Sequence, residues 1–172
     1  ETIASLSGLG LDFRHGQLAD TDVDLAIVDH KTKTCLCVEI KWFIEPAEIR
    51  EVLAKSEELI KGVAQATKIT KAFRENDNRL MSLLDIDQSY DFLAMVGSVN
   101  FIGSHRVQHP DVPITKLWHL TSEIRKRGRL DEVFEWLRSR SYLPRKDLDY
   151  KITEIEIQSG EWHSRWYGIA YS

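Results

Sequence analysis

The sequence predicts an α/β or α+β domain with a mixed central sheet flanked by helices. Three observations carry that prediction. Two apolar strand patterns, residues 22–29 and 35–42, are joined by the short polar connection "HKTKT". A long helical pattern then opens at Pro46, and further strand and helix patterns follow it. The 172 residues are enough for one domain with its own core, and no internal repeat or Ser/Gly linker divides them, so a single unit over 1–172 is expected.

The elements follow in order. Residues 2–7 read as the end of a helix, ahead of a turn region at Gly8 and Gly10, and "LDFRHG" reads as a short strand. "DVDLAIVD" (22–29) is a strand because Val23 to Val28 supply β-branched and aliphatic side chains. "CLCVEIKW" (35–42) is the next strand. The helix from Pro46 carries Glu48 and Glu51 early, where the positive end of the helix dipole favours acids. Ile49, Val52, Leu53, Ile60 and Val63 recur at helical spacing and predict its core-facing stripe. The polar "ENDNR" (75–79) ends that segment. Strands are expected at about 91–102 and 113–120, and a basic helical region at 122–140 is broken near Gly128. "YKITEIEI" and "WHSRWYGIAY" read as two closing strands with "QSGE" as their turn.

Composition narrows the class of function. With 42% hydrophobic and 29% charged residues the chain is an ordinary globular protein, neither disordered nor fibrous. The longest apolar stretch, Tyr90 to Gly103, carries an Asp and an Asn and is too short to span a bilayer, so no membrane partner is expected. Cys35 and Cys37 cannot form a disulfide framework, which fits a reducing cytoplasmic setting. A net charge of −4 excludes a global basic field, so any nucleic-acid contact must rest on local positive charge. The chain starts at Glu1 rather than Met, which suggests a fragment of a longer polypeptide.

The strand at 35–42 poses the functional question. "CLCVEIKWF" (35–43) sets Glu39 and Lys41 two residues apart inside an apolar run. Burying both charges is costly unless each finds a partner. Alternate strand residues share a face, so Cys35, Cys37, Glu39 and Lys41 point together, as do Asp22 and Asp24 on the preceding strand. A hairpin centred near residue 32 pairs Asp24 with a residue near Ile40, which lets Asp24, Glu39 and Lys41 converge. Two carboxylates can hold Mg²⁺, and a lysine beside the ion can hold a phosphate or the attacking hydroxide.

On these residues the chain resembles the PD-(D/E)XK nuclease superfamily: "VDLAIVD…LCVEIKW" has an Asp heading one apolar strand and Glu-x-Lys in the next. The resemblance covers about residues 8–75. It implies a restriction-endonuclease-like core and metal-dependent cleavage of phosphodiesters, DNA rather than RNA, by an endonuclease using Mg²⁺ or Mn²⁺. By resemblance Asp24 is the first acid, Glu39 the second, Lys41 the lysine, and the Ile40 backbone carbonyl a further metal ligand. Val23 stands where the family's Pro would be. The Glu that many members carry on a first helix has only Glu1 as a counterpart, and Gln65 in "GVAQATK" resembles the Gln found on the helix after the lysine strand.

Each assignment has a competitor. Asp22 competes with Asp24 for the first acid. "DHK" (29–31) and "DYK" (149–151) repeat the Asp-x-Lys spacing, but the first reads as a solvated turn and the second has no Asp-headed strand before it. Lys61, Gln65 and Lys68 share one helical face, either lining the site and touching phosphate or simply solvated. Cys35, Cys37, His105 and His109 match zinc spacings poorly, and the cysteines read better as small core residues. "RKRGR" (125–129) with Arg138, Arg140, Arg145 and Lys146 is either a phosphate-contacting surface or an exposed face. Trp118, Trp136, Trp162 and Trp166 read as core or interface residues. Nothing resembles a sequence-reading module, so targeting is expected from a missing domain or a partner protein, and double-strand cleavage, which needs two sites, would call for a homodimer. The alternative function is a catalytically silent nuclease-fold domain that binds nucleic acid or protein.

Overall fold

The computed structural model describes residues 2–103 and 107–171. The chain divides into two compact units, Glu1–Ser139 and Arg140–Ser172, where the sequence pattern suggests one. The first unit carries the sheet. Its elements run α1 (Thr2–Ser5), β1 (Asp12–Gln17), β2 (Asp22–Asp29), β3 (Thr34–Lys41), α2 (Ile49–Arg74), α3 (Asn78–Leu84), β4 (Asp91–Ser98), β5 (Ile114–Lys116), α4 (Leu117–Arg127) and α5 (Leu130–Arg138).

The five strands lie side by side in the order β1-β2-β3-β4-β5. The first three pair antiparallel, while β3–β4 and β4–β5 pair parallel, so the sheet is mixed, as the sequence predicts. The change of sense at β3 follows from its connections. A tight turn enters β3 from β2, whereas the long α2–α3 excursion leaves it and returns the chain parallel in β4. At the turn, Asp29 Oδ1 accepts the amides of Lys31 (3.0 Å) and Thr32 (3.3 Å). "DHK" is therefore a structural turn with a buried Asp29, not the solvated one expected.

Helix α2 covers one face of the sheet. Leu59, Val63, Ala66 and Ile69 meet Ala26, Val28, Cys35, Cys37, Ala94 and Val96 in one core cluster. The expected stripe is corrected here: Ile49, Leu53 and Ile60 are exposed, and the buried side is Ser56, Leu59, Gly62, Val63, Ala66 and Ile69. Small residues let the helix axis come close to the sheet, and apolar spacing alone does not reveal that. Helices α4 and α5 bury Leu117, Leu120, Ile124, Leu130, Val133, Phe134 and Leu137, with α5 packing against β3 and α4 against β4 and β5.

Two other boundaries differ from expectation. β4 stops at Ser98 rather than near 102, and β5 is only Ile114–Lys116, because Leu117, Leu120 and Ile124 already repeat at helical spacing and start α4. The basic region at 122–140 breaks where the sequence predicts, into two helices, as Gly128 adopts φ +70° and donates its amide to Ile124 O at 2.9 Å. The second unit is a hairpin of β6 (Tyr150–Ser159) and β7 (Trp162–Tyr171), paired antiparallel along its length. Among the described residues no helix is long and apolar enough to cross a membrane.

Candidate active site

The register of β2 on β3, with Leu25 opposite Val38, brings Asp24 level with Glu39. That is one residue from the Ile40 pairing expected of a simple hairpin. On the other side of β2 the ladder with β1 shifts between Arg14 (opposite Ala26) and Gly16 (opposite Val23). Asp24 and Leu25 thus both stand opposite His15, and β2 bulges at the candidate acid. The half-buried Asp24 reaches across to β3, where its Oδ2 accepts the Ile40 amide at 2.7 Å. Asp22, the competitor, is exposed.

Glu39 is buried and only 3% exposed. Its Oε1 lies 2.9 Å from Lys41 Nζ, while Oε2 is buried and accepts no hydrogen bond. Burial raises the Glu39 pKa above the usual carboxylate range. The Lys41 hydrogen bond opposes that rise, and the charges of Asp24 and Asp22 add to it. Lys41 Nζ also donates to Gln65 Oε1 on α2 at 3.0 Å. The predicted residues Asp24, Glu39, Ile40, Lys41 and Gln65 therefore come together, three elements contributing to one cluster.

Gly62 is a member that sequence reasoning missed. A Cβ there would lie 3.0 Å from Lys41 Cε and 3.3 Å from Val96 Cγ1, so the glycine lets α2 pass directly over the lysine stem. The available signal was a glycine in mid-helix, which is unfavourable by about 1 kcal/mol relative to alanine and calls for a packing reason.

The other expectations separate from this cluster. Lys61 is exposed and paired with Glu58 at 2.5 Å, and Lys68 is exposed. The basic stretch is largely paired with acids: Arg127 with Glu123 at 3.0 Å, Arg129 with Asp131 at 2.6 Å, and Arg138 with Asp91 of β4 on two oxygens. Asp149 of "DYK" accepts the Arg145 amide in the hairpin unit. Cys35 and Cys37 are buried, as predicted for core residues, and Cys35 together with burial raises the Cys37 thiol well above its usual range. His109 lies elsewhere, beside Thr67, Thr70, Lys71 and Arg74. Glu1 and His105 lie outside the described residues. Of the four tryptophans read as core or interface, only Trp136 is buried, while Trp118, Trp162 and Trp166 are exposed.

Among the described residues no three His, Cys, Asp or Glu side chains gather into a metal-holding group. The acids at this site are a pair. The expected ligands, Asp24, Glu39 and the Ile40 carbonyl, offer oxygen only, a chemistry that would suit a hard cation such as Mg²⁺ or Mn²⁺ and does not suit zinc. The orphaned Glu39 Oε2 fits that use, since a buried carboxylate oxygen without a donor is satisfied by a cation. No protein-family model, curated protein or solved structure matches this chain.

Proposed function

We propose that this chain is a divalent-metal-dependent nuclease domain of the PD-(D/E)XK type, with a restriction-endonuclease-like core, hydrolysing DNA phosphodiesters. The observation that carries the reading is the Glu39–Lys41–Gln65 contact beside Asp24, with one Glu39 oxygen buried and unsatisfied. Asp24, Glu39 and the Ile40 carbonyl would hold Mg²⁺ or Mn²⁺. When bound, the ion supplies a water of lowered pKa and neutralises charge developing on the phosphate.

The chain's own residues do the rest. Lys41 projects from the end of β3 at 19% side-chain exposure, accessible enough to bind a non-bridging phosphate oxygen. Gln65 holds the Lys41 amine from the α2 side, so its position does not depend on Glu39 alone. Burial of Glu39 excludes water from the carboxylate and strengthens its interactions with any cation beside it.

A second reading is a catalytically silent domain that binds nucleic acid or protein. It is favoured by one observation, that Asp24 Oδ2 is already engaged with the Ile40 amide. Incubation of wild type and Lys41→Ala with plasmid, linear duplex and single-stranded DNA, with and without Mn²⁺, tests both. Mn²⁺-dependent cutting that Lys41→Ala lacks supports the nuclease. Binding without cutting in every condition supports the silent domain.

A further inference from the structure

Beside Asp24 lies a groove of about 650 Å³ that the catalytic reading does not use. Ile3, Asp24, Ile40, Trp42, Leu117 and Trp118 line it, in the size range of a ligand cleft. Trp42 follows Lys41 directly and is 76% exposed, and Trp118, in the first turn of α4, is 63% exposed. Two exposed indoles on one apolar groove make the kind of contiguous patch that marks an interaction site.

The groove has the chemistry of a base platform. Trp118 is backed by His119, ring centroids 5.2 Å apart and planes 21° from parallel, and His119 in turn meets the buried Trp136 edge-on at 5.0 Å. One indole face is thus braced by a stack, which leaves the other for a flat ligand. Asn100 Nδ2 donates to Phe43 O at 3.0 Å, tying the segment after β4 to the one after β3 that carries Trp42. The groove's walls are therefore held before any ligand arrives. Most of the lining is apolar, as stacking needs, and its few polar members, Thr121 and Asn100 among them, donate to backbone carbonyls of the groove's own walls.

Ile40 and Trp42 stand on the α4 side of the sheet and Glu39 and Lys41 on the α2 side, and Asp24, near the start of β2, is the residue that links the groove to the carboxylate pair around the strand ends. Resting on the nuclease reading, we infer that unpaired nucleobases stack on Trp42 and Trp118 while the adjoining phosphate sits at Asp24 and Glu39, so the substrate class is single-stranded or locally unpaired nucleic acid. A fully paired duplex offers no free base faces to the indoles, whereas every unpaired base does. An apolar peptide could fill the groove but would bring no phosphate to the acid pair.

The test measures fluorescence anisotropy of labelled oligonucleotides of roughly 20 nucleotides, single-stranded and as blunt duplex, in Mg²⁺. The full chain carrying Lys41→Ala serves as the uncut background. Trp42→Ala and Trp118→Ala are each expected to weaken single-strand binding on the order of 10-fold, to leave duplex binding unchanged, and to be partly rescued by Phe. Equal losses on both DNA forms, or no loss on the single strand, overturn the inference. Cleavage is scored separately on the Lys41-containing chain with Mn²⁺. Trp-dependent single-strand binding without cleavage upholds the groove and removes the nuclease reading. Cleavage indifferent to both Trp changes, with binding equally indifferent, removes the groove and leaves the nuclease.

Discussion

Gln65 Oε1 accepts a hydrogen bond from Lys41 Nζ at 3.0 Å, joining α2 to the end of β3. The contact gives Gln65 a positioning role: it holds the lysine and touches no proposed metal ligand. Gln65→Ala is expected to lower cleavage on the order of 10-fold, the effect of one hydrogen bond of about 1.4 kcal/mol. Initial rates and DNA affinity are measured together. Unchanged rates would show that the lysine is held well enough by Glu39 alone.

Lys41→Ala removes the group assigned to the phosphate and leaves every proposed metal ligand in place. Cleavage should fall by at least about 10²-fold, the usual size of a lost electrostatic group at a transition state. A melting-temperature rise with Mn²⁺ should persist. Wild-type rates in this variant would take Lys41 out of the mechanism.

Gly62→Ala separates site geometry from stability. The new methyl meets Lys41 Cε at 3.0 Å and Val96 Cγ1 at 3.3 Å. The lysine stem is flexible and gives way first, while the helix gains up to about 1 kcal/mol of intrinsic propensity. Cleavage is therefore expected to drop with little change in the urea midpoint. A variant that loses stability and keeps its rate would mean the methyl is absorbed by the sheet instead.

The β2–β3 pair was readable because its signals are local: two apolar runs, a short polar turn, and charges breaking the pattern at fixed parity. These signals point to Asp24, Glu39 and Lys41, whereas Gln65, on α2, came only from the resemblance of the helix that follows the lysine strand. The buried face of α2 was not readable, because Gly62, Ala66 and Ser56 carry too little apolar weight to register against Ile49, Leu53 and Ile60, yet only small residues fit so close to the sheet. β5 was overdrawn for a related reason. Pro113 to Leu120 suits strand or helix equally, and packing of Leu117 against Val38 across Gly97 favours the helix. The Trp42–Trp118 groove joins residues 76 positions apart, a proximity no single-sequence pattern carries.

The raised Glu39 pKa predicts how the metal-free protein responds to pH. A carboxyl whose folded pKa lies above its unfolded value contributes stability that is fully present below the unfolded value. That stability is lost as pH rises through the folded one. In chelator, the urea midpoint of wild type should thus decline as pH climbs from the ordinary Glu range through the raised value. Glu39→Gln should flatten that part of the profile. Parallel profiles would mean that Glu39 ionises in the fold at no cost.

Metal removal decides between a cation site and a structural ion pair. If Asp24 and Glu39 serve a cation, their mutual repulsion opposes folding when it is absent, consistent with the rise that Asp24 imposes on Glu39. Millimolar Mn²⁺ or Mg²⁺ should then raise the melting temperature by mass action. Asp24→Asn keeps an oxygen for the Ile40 amide, and Glu39→Gln keeps one for Lys41, which also retains Gln65. Each variant should be as stable as wild type in chelator, or more so, and should lose the metal-induced rise and the cleavage together. An ion pair kept only for structure predicts the reverse. Neutralising Glu39 would then strand Lys41 and destabilise the fold by about 3–5 kcal/mol. Thermal melts of wild type, Asp24→Asn and Glu39→Gln in chelator and in Mn²⁺ distinguish the two. A strongly destabilised Glu39→Gln, beside a wild type indifferent to metal, would leave the buried pair as architecture and end the nuclease proposal.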